Sequence, residues 1–176
     1  MAESFTNALS RSVGFVTTTN NVAIVGVKTD TIVGVSTVGV DVGDLVINQH
    51  FRGGAKVTSI GGTTVVVDKT STNTAQASSQ TVSFLGPTTS YTASQKAILI
   101  GGTFSNLTNN SVNIYVEVSS GSTATNLAND VPVPSGSSFV ISDAGKTVML
   151  LNDELKVYCD AESALDVTLG ILEGVN

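Results

Sequence analysis

Along much of the chain apolar residues alternate with polar ones, the period of a strand with one dry and one wet face. The signal is cleanest in the second half. In Val112-Asn113-Ile114-Tyr115-Val116-Glu117-Val118 every β-branched apolar residue falls on one face. Leu155, Val157 and Cys159 alternate with Glu154, Lys156, Tyr158 and Asp160, and Leu165, Val167, Leu169 and Ile171 alternate with Asp166, Thr168 and Gly170. Ala97–Ile100 is apolar throughout and predicts a central strand; the Gly101-Gly102 pair behind it predicts a bulge or a close backbone approach. Val131-Pro132-Val133-Pro134 predicts an edge strand or an extended connector, because proline has no amide hydrogen to give a ladder.

The first half carries shorter apolar runs, at Val13–Val16, Val22–Val27, Thr31–Val35, Leu45–Ile47, Lys56–Ile60, Thr63–Val67 and Thr81–Leu85. Gly61-Gly62 predicts a hairpin with a type I′ turn, which needs positive φ at both central positions. Gly53-Gly54 predicts a second turn, and Thr70–Ser79 reads as a polar loop. Residues 2–12 are the one stretch with a helical reading, since Ala2, Phe5 and Leu9 would share a helix face. A helix that short is marginal alone, so the segment reads equally as an arm that orders against a neighbour.

These patterns predict an all-β chain: an antiparallel β-sandwich of jelly-roll or Greek-key type, with a second small β module and a short N-terminal arm. The expected boundaries are 1–12 for the arm, 13–86 for the N-terminal module and 87–176 for the sandwich, with Pro87 at the junction. In the alternative, strands within 13–27 join the sandwich and 28–86 is an insertion.

Composition narrows the partners. Charged residues make up 12% of the chain, about half the ~25% usual for a soluble domain. Threonine, serine, asparagine and glycine fill the polar positions, and such a surface can meet another protein without stripping water from many ions. The net charge is −6 and the Lys and Arg residues are scattered singly, so nucleic acid is not an expected partner. The uncharged stretch Ala97–Val116 is broken by Ser, Thr and Asn and makes a poor membrane span. The start, Met1-Ala2-Glu3-Ser4-Phe5, lacks the basic and apolar regions of a secretory signal. Cys159 is the single cysteine, so an internal disulfide is impossible, which fits synthesis in a reducing cytoplasm.

Candidate chemistry is sparse. Any catalytic triad or His-bearing zinc site must use His50, the single histidine, and no G-x-S-x-G elbow presents a serine. Gly145-Lys146-Thr147 matches the end of a P-loop, but Val140 stands where the motif needs glycine. Asp41 with Asp44, Asp153 with Glu154, and Asp160 with Glu162 are neighbouring acids. Asp41-Val42-Gly43-Asp44 offers oxygens for a calcium ion in a loop but has too few ligands for an EF-hand, and turn preference accounts for all three pairs at least as well. Asn106-Leu107-Thr108 and Asn109-Asn110-Ser111 match the glycosylation pattern. Cys159, on the apolar phase of its strand, reads as a buried structural thiol. No catalytic, cofactor-binding or metal-ligating residue is expected.

Two groups of segments carry a resemblance. TIVGVSTVGVDVGDLVI, GAKVTSIGGTTVVVD and QTVSFLG resemble a small β module of structural proteins in tailed bacteriophages, notably T4-like marine cyanophages. AILIGGTFSNLTNNSVNIYVEV, VPVPSGSSFVI, GKTVMLLNDELKVYCD and ALDVTLGILEG resemble a second phage virion pattern of strands and turns. The resemblance implies a non-enzymatic virion structural protein, made in the host cytoplasm. On that reading it is a capsid decoration or cement subunit on the head surface, bound to the major capsid protein or other virion proteins. By analogy it implies a homo-oligomer, with a trimer favoured. The alternative it leaves is a neck, tail or fibre-associated subunit that contacts the host surface.

Overall fold

The computed structural model describes residues 3–51, 54–142 and 146–175, and among these the chain is all-β, with fifteen strands and no helix. Ala2, Gly53 and Gly145, which figure in the helix, turn and P-loop readings, lie outside the described residues. The chain forms two compact units. One joins the chain up to Gly14 with the chain from Thr88 onward; the other is Phe15–Pro87, inserted in sequence between the two parts of the first.

The first strand, β1 (Ser4–Val13), pairs antiparallel with the last, β15 (Leu165–Glu173), from Ser4↔Glu173 to Val13↔Leu165. Residues 4–13 are therefore a sheet strand, neither a helix nor a free arm. A spacing of four places Phe5 and Leu9 on one face of a helix but equally on one face of a strand, and the two periods cannot be told apart over so few residues. Ser4, Thr6, Asn7, Ser10 and Ser12 are weak helix formers, and pairing with β15 settles the competition. Val13 is fully buried and Ala8 packs against the core, so the segment is integral to its unit.

The inserted unit is a closed barrel of β2 (Phe15–Ile24), β3 (Thr31–Val33), β4 (Leu45–Ile47), β5 (Ala55–Gly61), β6 (Thr64–Val67) and β7 (Ala77–Gly86), in the order β2-β3-β6-β5-β4-β7. Its interior is lined by Val22, Ile24, Ile32, Val46, Val65, Val82 and Phe84, all fully buried. Closure leaves no free edge in so small a sheet. The β5–β6 hairpin turns at Gly62-Thr63, with Gly61 paired to Thr64. Positive φ occurs at Gly62 (61°) and not at Thr63, so the turn has the II′ pattern instead of I′. The loop before β7 is polar but not all solvated. Ser71 and Asn73 are buried there, with the Ser71 hydroxyl bonded to the Asn73 side chain. Asn73 Nδ2 donates to the carbonyls of Gly26 at 2.7 Å and Ala75 at 2.6 Å, and Ser71 Oγ accepts the Thr29 N–H at 3.0 Å.

The other unit continues with β8 (Thr88–Thr92), β9 (Ala97–Asn106), β10 (Val112–Ser120), β11 (Thr123–Val133), β12 (Ser138–Ile141), β13 (Thr147–Met149) and β14 (Glu154–Cys159). Its strands form two antiparallel sheets. One runs β1-β15-β9-β12, with β13 also paired to β9; the other runs β11-β10-β14-β8. Both contribute to one apolar core, Leu99, Phe104, Val167 and Leu169 from the first and Ile114, Val116, Leu155 and Val157 from the second. Tyr91 on β8 donates its hydroxyl to Glu173 on β15 at 2.7 Å, a bond between the sheets. Burial, followed by that bond, pushes the Tyr91 hydroxyl well above its ordinary pKa of 10.0.

Gly101-Gly102 serves both expected purposes. Gly170 pairs with Gly101 and Ile171 with Leu99, which leaves Ile100 as an extra residue in β9. A Cβ on Gly102 would meet Leu169 Cδ2 at 2.9 Å, and one on Gly101 the Ile141 carbonyl oxygen at 2.9 Å. Pro132 lies in β11, an edge strand. The face of β10 and β14 expected to be wet is not: Tyr115, Glu117 and Tyr158 are all buried. There Tyr158 donates its hydroxyl to Glu117 at 2.8 Å, and Tyr115 donates to Asp130 at 2.8 Å.

Asn106 holds the turn after β9. Its Nδ2 donates to the carbonyls of Asn110 at 2.7 Å and Val133 at 2.9 Å, while Oδ1 accepts the Thr108 N–H at 2.7 Å and hydroxyl at 2.8 Å. Removing this side chain loses four hydrogen bonds at once, each with a net contribution of about 0.5–1.5 kcal/mol. Asn106→Ala is expected to lower unfolding stability by about 3 kcal/mol in chemical denaturation, with the all-β circular dichroism spectrum retained.

Candidate functional site

The residues with recognisable chemistry are dispersed. His50 follows β4, and its Nε2 lies 3.4 Å from the Gln49 side-chain amide. Its backbone carbonyl accepts the Thr72 N–H at 2.8 Å, so its position is set by loop pinning. Cys159 is buried in the core shared by the two sheets, and burial pushes its thiol up to about 11, which leaves little thiolate at neutral pH. Thr147 opens β13; β12 and β13 both pair antiparallel with β9 and thus run as successive pieces of one interrupted edge, not as partners of a hairpin.

The acidic pairs are turn residues. Asp44 Oδ2 accepts the Asp41 N–H at 2.9 Å, and the Asp44 N–H donates to the Asp41 carbonyl at 3.2 Å. Asp153 Oδ2 accepts the Leu150 N–H at 2.8 Å. Glu154 forms an ion pair with Lys156 at 2.9 Å on the same strand. Asp160 Oδ1 accepts the Asn113 N–H at 2.8 Å, and Glu162 is exposed. Among the described residues no group of three or more His, Cys, Asp or Glu is placed to hold a metal ion, and no helix is long and apolar enough to cross a membrane. Asn106, the first glycosylation candidate, is buried with its amide nitrogen occupied, whereas Asn109 is exposed.

The feature that the strands do assemble is an apolar face. On β1, residues 4–10 alternate between half-buried even positions and exposed odd ones apart from exposed Ser4, so Phe5, Asn7 and Leu9 point away from the core. Directly paired residues of antiparallel strands project to the same side. Phe5 pairs with Leu172, Leu172 with Ile98, and Ile98 with Val148, which makes one apolar row across β1, β15, β9 and β13. A second row runs Leu9, Thr168, Thr103, Val140 across β1, β15, β9 and β12. Between them lie Asn7, Gly170 and Gly101. The outer members are open to solvent: Phe5 is 80% exposed, Leu9 69%, Val140 55% and Val148 52%. None of these positions carries a charge, and their solvation is cheap to remove. Large exposed apolar patches on a folded unit mark interaction sites, and this face is the candidate for one among the described strands.

Sequence reasoning passed over this face. Ile98, Phe5 and Leu9 are visible as apolar residues, but the segment of Phe5 and Leu9 reads as a helix or an arm, and cross-strand register lies beyond any local pattern. The available signal was the alternation at 3–11, Glu-x-Phe-x-Asn-x-Leu-x-Arg. Comparison with protein-family models, with curated proteins and with solved structures finds no match for the chain.

Asp44 offers a check on the turn reading. Its carboxyl pKa is raised from 3.8, chiefly by burial, against the opposing pull of the Asp41 N–H. A raised folded-state value means that the stabilising contribution is complete below the unfolded pKa and is lost as pH rises through the folded one. Asp44→Asn keeps an acceptor for the Asp41 N–H and has no charge to bury. Wild-type stability relative to this variant is therefore expected to fall as pH rises from below 3.8 towards neutrality, in paired urea titrations across that range.

Proposed function

We propose that this protein is a non-enzymatic structural subunit of a tailed-phage virion, a decoration or cement protein on the head surface. In this reading it seats the outer face of its five-stranded sheet on the major capsid protein. The observation that carries the reading is the row Phe5–Leu172–Ile98–Val148, flanked by uncharged Asn7, Gly170, Thr168 and Thr103. A broad, weakly charged sheet face suits permanent contact with another protein surface, because it buries apolar area without desolvating ions. The virion context comes from the resemblance of the strand and turn segments to phage structural proteins.

Strand order supports a finer fold assignment, a jelly roll for the two-sheet unit. With β12 and β13 counted as one interrupted strand, its strands taken in chain order run 1-8-3-6 in one sheet and 5-4-7-2 in the other. Jelly rolls of eight strands in two sheets recur in viral capsid proteins and also in lectins, so this support is analogy of architecture.

Localisation is the test. The labelled protein is expected over the whole surface of purified heads by electron microscopy. Label confined to one vertex or to the tail would replace the decoration reading with the neck or tail one, and absence from particles would end both. Ile98→Lys with Val148→Lys places charge in the apolar row on outward positions. That double variant is expected to lower head occupancy about ten-fold or more, with its thermal unfolding midpoint within a few degrees of wild type.

A further inference from the structure

β1 differs from the other edges of its unit. On the far side of the same sheet the edge is broken into β12, four residues, and β13, three residues. In the other sheet β8 has five residues, and β11 is irregular against β10, with register shifts and Pro132. Short, bulged or proline-bearing edges resist pairing with other chains. β1 is ten residues long, and its register with β15 is unbroken from Ser4 to Ser10, with a shift only before Val13. It leaves a long ladder of backbone donors and acceptors on the side away from β15.

The outward side chains along that edge form a self-complementary series. An antiparallel pairing of β1 with β1 of a second copy, centred on Asn7, places each residue opposite the one whose number completes a sum of fourteen. Phe5 then faces Leu9, Asn7 faces Asn7, and Glu3 faces Arg11. All five residues are exposed. Glu3 and Arg11 have no ion-pair partner among the described residues. Eight residues of extended chain at about 3.4 Å each separate them by roughly 27 Å, so they cannot satisfy one another within one chain. From 3 to 11 the series sets charge against opposite charge at its ends, apolar against apolar inside them, and amide against amide at its centre.

We infer that β1 is a homodimer edge, at which a second copy of this chain adds its own β1 antiparallel across a two-fold axis at Asn7. The two sheets become one continuous sheet, and the apolar row of one copy runs on through Phe5 to Leu9 of the other. Such a contact is isologous and closes at two copies. The inference stands independently of the virion reading.

Charge exchange tests it on the full chain by sedimentation equilibrium across the micromolar range. Wild type is expected at twice the chain mass, with weaker association at high salt. Glu3→Arg and Arg11→Glu each set like charges opposite at both ends of the contact, and each is expected to raise the dimer dissociation constant about ten-fold or more. An equimolar mixture of the two variants restores opposite charges in a heterodimer, and so does the double exchange in one chain; both are expected to recover wild-type association. All substituted positions are exposed, and an unchanged thermal midpoint verifies folding. A wild-type chain that stays monomeric, or that forms a trimer, overturns the inference. So does a folded pair of single variants that associates like wild type, or a mixture that fails to recover.

Discussion

The pairing of the first strand with the last is the constraint on which the two-sheet unit depends. β15 lies between β1 and β9, so the five-stranded sheet is incomplete until the last segment of the chain is in place. The bond between ends is entropically expensive to form but grows only slowly in cost with the length enclosed. A whole barrel can therefore be inserted between β1 and β8 without forbidding the pairing. The barrel has its own apolar interior, from Val22 to Phe84, and is closed by its own ladder. Each unit thus has a core of its own, and the chain pays the closure cost once.

Sparse charge shapes how the polar groups are handled. Asn106, Asn73 and Ser71 are buried, and each bonds backbone groups at turns. Neutral amides and hydroxyls do this without the desolvation cost of an ion. Where acids take part, they are placed at turns, as with Asp44 and Asp153, or accept from tyrosine hydroxyls, as with Glu117, Glu173 and Asp130. The same choice of residues keeps the outer face of the five-stranded sheet free of charge between its rows. Internal satisfaction and a charge-free outer face follow from one compositional bias.

The proposed capsid contact and the inferred dimer edge use different parts of the same sheet. The first uses the row from Phe5 to Val148 on its face, the second the backbone of β1 with the outward residues 3–11, and Phe5 belongs to both. Pairing at the edge would double the apolar face that the sheet presents, so the two contacts are compatible in geometry and additive in area. His50 and Cys159, the residues with the most familiar chemistry, belong to neither set of residues: one is pinned in a loop of the barrel, the other sealed in a core.

Local pattern was enough for the class of structure and for most strands. Apolar alternation at 112–118, 155–159 and 165–171 reports which side chains face a core, because strand periodicity is local and burial follows it. The hairpin at Gly62, the tight approach at Gly102 and the edge strand with Pro132 were legible for the same reason: each is a property of one or two residues. What only the tertiary structure decided was partnership. Phe5 and Leu9 fit a helix or a strand equally until β15 supplied a ladder. Tyr158 and Glu117 read as a wet face until they were found buried and bonded to each other. The row from Phe5 to Val148 joins residues from positions 5, 172, 98 and 148, and register between strands so distant in sequence is set by the packing of the whole unit rather than by any segment of it.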